Sequence, residues 1–134
     1  MSAAGPEKLT GRCNCGAVRF AATGPFRPAI ACHCRCCRRQ SGHYLAATEI
    51  RQADLEISGE TAIAWYAATP KARRGFCATC GAHLFWQEND ADTVFIYTGC
   101  LDEPTGLALA GHIFVAEKGD YYDIADGLPQ HPQG

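Results

Sequence analysis

Gly11-Arg12-Cys13-Asn14-Cys15-Gly16, answered much later by Phe76-Cys77-Ala78-Thr79-Cys80-Gly81, decides the fold of this chain. In each stretch two cysteines stand one or two residues apart, and a glycine follows at once. Two sulfurs so spaced face one ion only where the chain turns tightly, and glycine supplies the positive φ that such turns often need. Two of these knuckles together offer four thiolates, Cys13, Cys15, Cys77 and Cys80, the tetrahedral set of a closed structural zinc site. Binding at such a site contributes on the order of 10–16 kcal/mol in zinc-finger peptides, comparable with the about 5–15 kcal/mol that stabilises a whole domain. A fold built on this site depends on its metal. Redox-active or buried free cysteines are the alternative reading of the same four residues.

Between the knuckles lies a denser group, Cys32-His33-Cys34-Arg35-Cys36-Cys37. Cys32, Cys34 and Cys37 have the gaps that let three sulfurs converge on one ion from a single tight loop. No fourth cysteine follows at knuckle spacing, so a coordination position is left for water or substrate, as in catalytic zinc sites. Two zinc ions per chain are expected in all. Cys36 is either a substitute ligand or a spare thiol. Cys100 stands alone at a strand end and reads as a small buried apolar residue. His33 lies between two ligand candidates and reads as their neighbour rather than as a ligand. His43, His83 and His112 have no ligand spacing and read as packing or surface residues. Arg35, Arg38 and Arg39 form either a solvated face or a set of charges that offsets the thiolates or holds a substrate carboxylate.

Around these motifs the chain is globular: apolar residues make up 47% and charged residues 19% of 134 positions. Nine cysteines amount to about 7%, just under the range of secreted disulfide scaffolds. Their number is odd and residues 1–10 lack the basic start and apolar run of a secretory signal, which argues against a disulfide framework. A cytoplasmic location is expected. The net charge of −2 gives no reason to expect nucleic acid or an anionic membrane as partner, and the uncharged stretch 21–31 is too short and too broken to span a bilayer.

Short runs rich in β-branched and aromatic residues alternate with Gly, Pro, Asn and Asp. They predict strands over 16–22, 44–50, 53–58, 61–67, 72–76, 82–87, 93–99 and 112–117, with a helix of barely two turns at Arg35–Ser41. None is suited to a parallel sheet with crossover helices, so a mainly β, antiparallel, single-domain protein over 1–134 is expected, its core at about 9–131. The tail 126–134, carrying Pro129 and Pro132, is expected to end in loose coil.

The ten residues from Gly11 to Phe20 resemble the opening of the glutathione-dependent formaldehyde-activating enzyme family, which includes the centromere protein V group. Cys32-His33-Cys34 through Cys37-Arg38 with Ser41-Gly42 is similar to that family's central motif, and Arg74-Gly75-Phe76-Cys77 through Cys80-Gly81 to its second knuckle. Residues 99–104, His112-Ile113-Phe114 and Asp126-Gly127-Leu128-Pro129 are similar to its closing motifs. The resemblance runs in order over nearly the whole chain. Cys36, Cys100 and the pair Tyr121-Tyr122 depart from the pattern, the last standing near where a tryptophan is common.

This resemblance implies a β-tent fold with zinc knuckles, a structural zinc on Cys13, Cys15, Cys77 and Cys80, and a catalytic zinc on Cys32, Cys34 and Cys37. It implies a carbon–sulfur lyase that joins glutathione to formaldehyde or parts them, of the S-hydroxymethylglutathione synthase type. A substrate thiol in the fourth position would be deprotonated outright and would attack an aldehyde carbon, or depart as the C–S bond breaks. Three thiolates leave such a centre with a charge of −1, which weakens its metal as a Lewis acid. No carboxylate or histidine has the spacing of a general acid or base. The contrasting readings are a non-catalytic zinc-built module that binds protein or nucleic acid, and a thiol redox protein using Cys36 and Cys37. Oligomeric state leaves no trace in the sequence.

Overall fold

The computed structural model describes residues 6–134; the expected domain limits reach beyond them at 1–5. The regular elements are β1 (Lys8–Arg12), β2 (Arg19–Thr23), β3 (Ala29–Cys32), α1 (Arg35–Ser41), β4 (Leu45–Arg51), β5 (Leu55–Ser58), β6 (Ile63–Thr69), β7 (Ala72–Cys77), β8 (His83–Glu88), β9 (Thr93–Tyr97) and β10 (Leu109–Ile113). They form a three-stranded sheet in the order β1-β2-β5 and a seven-stranded sheet in the order β10-β3-β4-β9-β8-β7-β6. The result is the mainly antiparallel β-tent that the family resemblance implies, with its cysteine knuckles at the strand ends.

The core lies between the sheets, where inward residues of alternating strands meet: Val18, Phe20, Leu84, Phe85, Val94 and Ile96. Phe20 of β2 meets Phe85 of β8 edge-on, with ring centroids 5.3 Å apart. Cys13 and Cys77 belong to this buried cluster, so one knuckle pair is anchored in the core itself.

Two strands were not foreseen. Leu9 and Gly11 of β1 point inward while Lys8, Thr10 and Arg12 point out, an alternation with a single bulky apolar residue. Gly11 is required by close approach: a Cβ there would stand 2.3 Å from the Phe20 ring and 2.5 Å from the Cys100 carbonyl oxygen. Strand β3, Ala-Ile-Ala-Cys, is short and small, and only its partners make it a strand. It pairs antiparallel with β4 on one side and parallel with β10 on the other, Cys32 standing opposite Ile113. That parallel pair forms without a crossover helix.

Strand β10 covers Leu109–Ile113 rather than 112–117, because Phe114 takes a left-handed conformation (φ 56°) and Val115–Glu117 winds into a 3-10 turn. The tail is not loose coil. The His112 N–H donates to the Pro129 carbonyl and the His131 N–H to the His112 carbonyl, both at 2.9 Å. Phe114 N–H donates to Gln133 and Val115 N–H to His131, so residues 129–133 run along β10 as an added edge. Sequence signals miss such a segment because its prolines remove donors without removing the acceptors that β10 uses.

Candidate metal centres

Each knuckle of the closed cluster is shaped by its own backbone. Gly16 and Gly81 adopt φ of 83° and 77°, the left-handed conformation expected of them. Cys13 N–H donates to Val18 O at 3.0 Å and Cys77 N–H to Ala82 O at 2.9 Å, so both knuckles close over the same span. The loops then turn N–H groups onto sulfur: Val18 N–H onto Cys13 Sγ (3.3 Å) and Cys80 N–H onto Cys77 Sγ (3.5 Å).

The sulfurs of Cys13, Cys15, Cys77 and Cys80 all lie within 4.8 Å of one another. Cys13 and Cys15 sulfurs are 3.6 Å apart, and those of Cys15 and Cys77 3.7 Å. Zinc–sulfur bonds of about 2.3 Å in a tetrahedron place sulfurs about 3.8 Å apart, so this donor set fits zinc in number, type and spacing. The backbone N–H groups of Cys15 and Ala82 hold the Cys80 thiol down to about 6.

The second cluster forms where β3 runs into α1. Cys32 and Cys34 alternate with His33 along extended backbone, so the two sulfurs share one face and the imidazole takes the other. Cys34 caps the helix: its sulfur accepts from Cys37 N–H at 3.3 Å, and the first turn brings Cys37 round to the same side. Gly42, left-handed at φ 91°, ends the helix with its N–H on Arg38 O. The sulfurs of Cys32, Cys34 and Cys37 lie within 4.8 Å of one another, and no fourth metal-ligating group joins them among the described residues. Cys36 stands outside both clusters. Neighbouring thiols favour charge on Cys34: Cys32 and Cys37 hydrogen-bond it and hold it far below the usual thiol range, while Cys34 and Cys37 push Cys32 far above it. Both clusters can therefore hold a metal ion, one with four donors and one with three.

Two arrangements around the three-sulfur cluster involve residues most of which stand in the family-like motifs but which have no ligand spacing to announce their role. The first is Arg74, which is 6% exposed and sits on β7 three residues before Cys77. Its guanidinium lies 3.5 and 3.6 Å from Cys37 Sγ, through Nη2 and Nη1, and donates to Tyr97 Oη at 3.4 Å. Arg35, by contrast, is exposed and pairs with Glu117 at 3.9 Å, Arg39 is exposed, and Arg38 is half-buried. The guanidinium that meets a cluster sulfur among the described residues is thus Arg74.

The second is a hydrogen-bonded chain, Tyr122–His33–His112–Asp126, buried at its two histidines. His33 Nδ1 meets Tyr122 Oη, His33 Nε2 lies 2.9 Å from His112 Nδ1, and His112 Nε2 lies 2.7 Å from Asp126 Oδ2. With both imidazoles neutral, one assignment satisfies every link: tyrosine donates to His33, His33 to His112, and His112 to the carboxylate. Burial, and then the neighbouring His112 and His43, lower His33 to about 4, which keeps it neutral near pH 7. His33 thus takes no part in the sulfur cluster but pins the loop that carries it. Two other histidines keep local partners: His43 Nδ1 lies 2.7 Å from Tyr121 Oη, and His83 Nε2 donates to Gln40 O at 2.6 Å. Cys100 donates to Tyr97 O at 3.0 Å and is pushed up to about 12 by burial.

A cleft of about 530 Å³ opens beside the four-cysteine cluster, and none of Cys32, Cys34 and Cys37 lines it. Cys13 contributes to one wall; Tyr44, His83 and Tyr97 line another, Tyr44 packing on the His33 ring at 4.7 Å and Tyr97 holding Arg74.

A β-tent that closes over one four-cysteine and one three-cysteine cluster defines a class of cysteine-rich domains able to hold metal ions. Residues 8–117 match the sequence model of the glutathione-dependent formaldehyde-activating enzyme family, and the chain belongs to that family. It is 26% identical over 117 residues to an uncharacterized lyase of Schizosaccharomyces pombe, an alignment covering 87% of this chain and 85% of the relative. A crystal structure of a Rhodobacter sphaeroides protein superposes with a TM-score of 0.59 at 23% identity, over 90% of this chain and 98% of the other, and shares its fold. Among the described residues no helix is long and apolar enough to cross a membrane.

Proposed function

We propose that the protein is a zinc-dependent carbon–sulfur lyase acting on a thiol–aldehyde adduct, with glutathione and formaldehyde as the pair that the family description names. The observation that carries the reading is the convergence of Cys32, Cys34 and Cys37 without a fourth protein donor among the described residues. The relative's description as a lyase supports the same reaction class.

Cys13, Cys15, Cys77 and Cys80 would hold one zinc as a structural tie between the knuckles, and Cys32, Cys34 and Cys37 would hold the other. Zinc on three thiolates supplies a Lewis acid that favours the thiolate form of a coordinated thiol. The protein's part is to hold that geometry. The chain from Tyr122 to Asp126 keeps His33, and with it the Cys32–Cys34 loop, from rotating. Helix α1 carries Cys37 to the third corner. Tyr44, His83 and Tyr97 give the cleft a wall with both aromatic surface and polar tips for orienting a substrate.

Zinc per chain, measured by elemental analysis on protein purified without added metal, tests the metal reading. Two ions in the wild type and one in Cys34→Ser are expected, with the fold retained. The reaction is tested by following exchange between glutathione, formaldehyde and their adduct by NMR. Undiminished exchange in protein with serine at positions 32, 34 and 37 would sink the mechanism.

A further inference from the structure

Arginine does not lose its proton in proteins, so a buried guanidinium needs an anion beside it. Arg74 is 6% exposed, and no carboxylate pairs with it among the described residues. Its contacts are the phenol of Tyr97 and the sulfur of Cys37, which both Nη atoms approach at 3.5 and 3.6 Å. With Cys37 as a zinc ligand, the anion beside Arg74 is its thiolate. Strand β7 enforces this placement, since its far end carries Cys77 into the other cluster.

We propose that Arg74 is a positioning residue, acting through the Cys37 sulfur, that sets the charge of the three-cysteine centre so that it accepts an anionic thiolate as its fourth ligand. The inference rests on reading Cys32, Cys34 and Cys37 as a zinc site. Three thiolates and one divalent ion carry −1, and a fourth thiolate would raise that to −2 in a half-buried pocket. With Arg74 counted, the centre is neutral before the thiolate enters and −1 afterwards. A neutral ligand entering the same position changes no charge and has no need of Arg74. The fork geometry also matters, because two N–H groups directed at one sulfur draw electron density from it and leave the metal more acidic.

The test uses the full chain loaded with cobalt(II), whose sulfur-to-metal charge-transfer band reports ligand entry. The four-sulfur site is saturated, so the titration reads the three-sulfur site. 2-Mercaptoethanol serves as the thiolate probe and imidazole as the neutral one, at a single fixed pH. Arg74→Gln is expected to weaken mercaptoethanol binding about 10–100-fold, the usual loss on removing an outer-shell partner, and to leave imidazole binding within about twofold of wild type. Arg74→Lys, which keeps the charge but not the fork, is expected to recover most of the loss. Equal weakening of both probes would reveal a merely structural role and overturn the inference, as would no change in either. Should Arg74→Gln fail to fold, Arg74→Lys decides alone: mercaptoethanol affinity near wild type with a shifted charge-transfer band supports the inference, and loss of both probes overturns it. A wild-type protein that holds one cobalt per chain overturns the zinc reading together with this inference. Two cobalts with an indifferent Arg74 overturn only the latter.

Discussion

Replacing His112 by leucine should destabilise the protein by about 1–3 kcal/mol, although His112 belongs to neither cysteine cluster. The side chain is 3% exposed and uses both ring nitrogens. Leucine preserves much of the buried volume but strands His33 Nε2, a fully buried donor, at a cost of about 1–3 kcal/mol. The link to Asp126 adds little, since that carboxylate is 39% exposed and water replaces much of what it loses. Urea unfolding at buffered free zinc is the appropriate assay, because zinc binding to the native state would otherwise shift the midpoint. Asp126→Asn, alone and combined with His112→Leu, closes a double-mutant cycle. Residues in one hydrogen-bonded chain should couple by more than about 0.5 kcal/mol. A loss below about 0.5 kcal/mol for His112→Leu, or simple additivity in the cycle, would refute the chain as a stabilising unit. The pH dependence has a definite sign. The Leu128 N–H first, and the His112 bond next, hold the Asp126 carboxyl below its ordinary range. Its contribution is therefore present above about pH 4, the unfolded value, and is lost as pH falls through the lower folded value. Asp126→Asn should remove that part of the acid slope.

Gly81→Ala should cost about 1–2 kcal/mol in the same urea assay, because a Cβ there meets open space and only the left-handed backbone (φ 77°) resists it. Phe85→Ala removes a fully buried ring packed edge-on against Phe20 and should cost about 3–5 kcal/mol; a cost near 1 kcal/mol would mean that the two sheets do not share this core. Chelation of metal from the closed cluster should abolish cooperative thermal unfolding, monitored by circular dichroism, since zinc at such sites contributes about 10–16 kcal/mol. An unchanged melting curve after verified metal removal would show that the knuckles hold without it. Gly11→Ala forces a Cβ to within 2.3 Å of the Phe20 ring and should destabilise the three-stranded sheet by about 1–3 kcal/mol, read from the urea midpoint.

Much of this molecule was legible in one dimension because metal-ligand spacing is local. Cys13-Asn14-Cys15-Gly16 and Cys77-Ala78-Thr79-Cys80-Gly81 each specify a turn whose φ is set by the glycine itself, and both glycines take it. Cys32, Cys34 and Cys37 are joined by one loop and one helical turn, so their convergence follows from alternation along a strand and from helix pitch. The helix limits Arg35–Ser41 and most strands followed from local pattern for the same reason. What surrounds those clusters depends on pairing between distant segments, which leaves no periodic mark. Arg74 stands in a family-like motif with no spacing that links it to Cys37; only the fold buries it against that sulfur. His112 and Asp126 reach His33 only because β10 pairs parallel with β3 and the tail folds back along β10. The sequence alone determined which sulfurs gather; tertiary structure decided which charge and which hydrogen bonds hold them, because buried polar groups are satisfied by whatever the fold brings near.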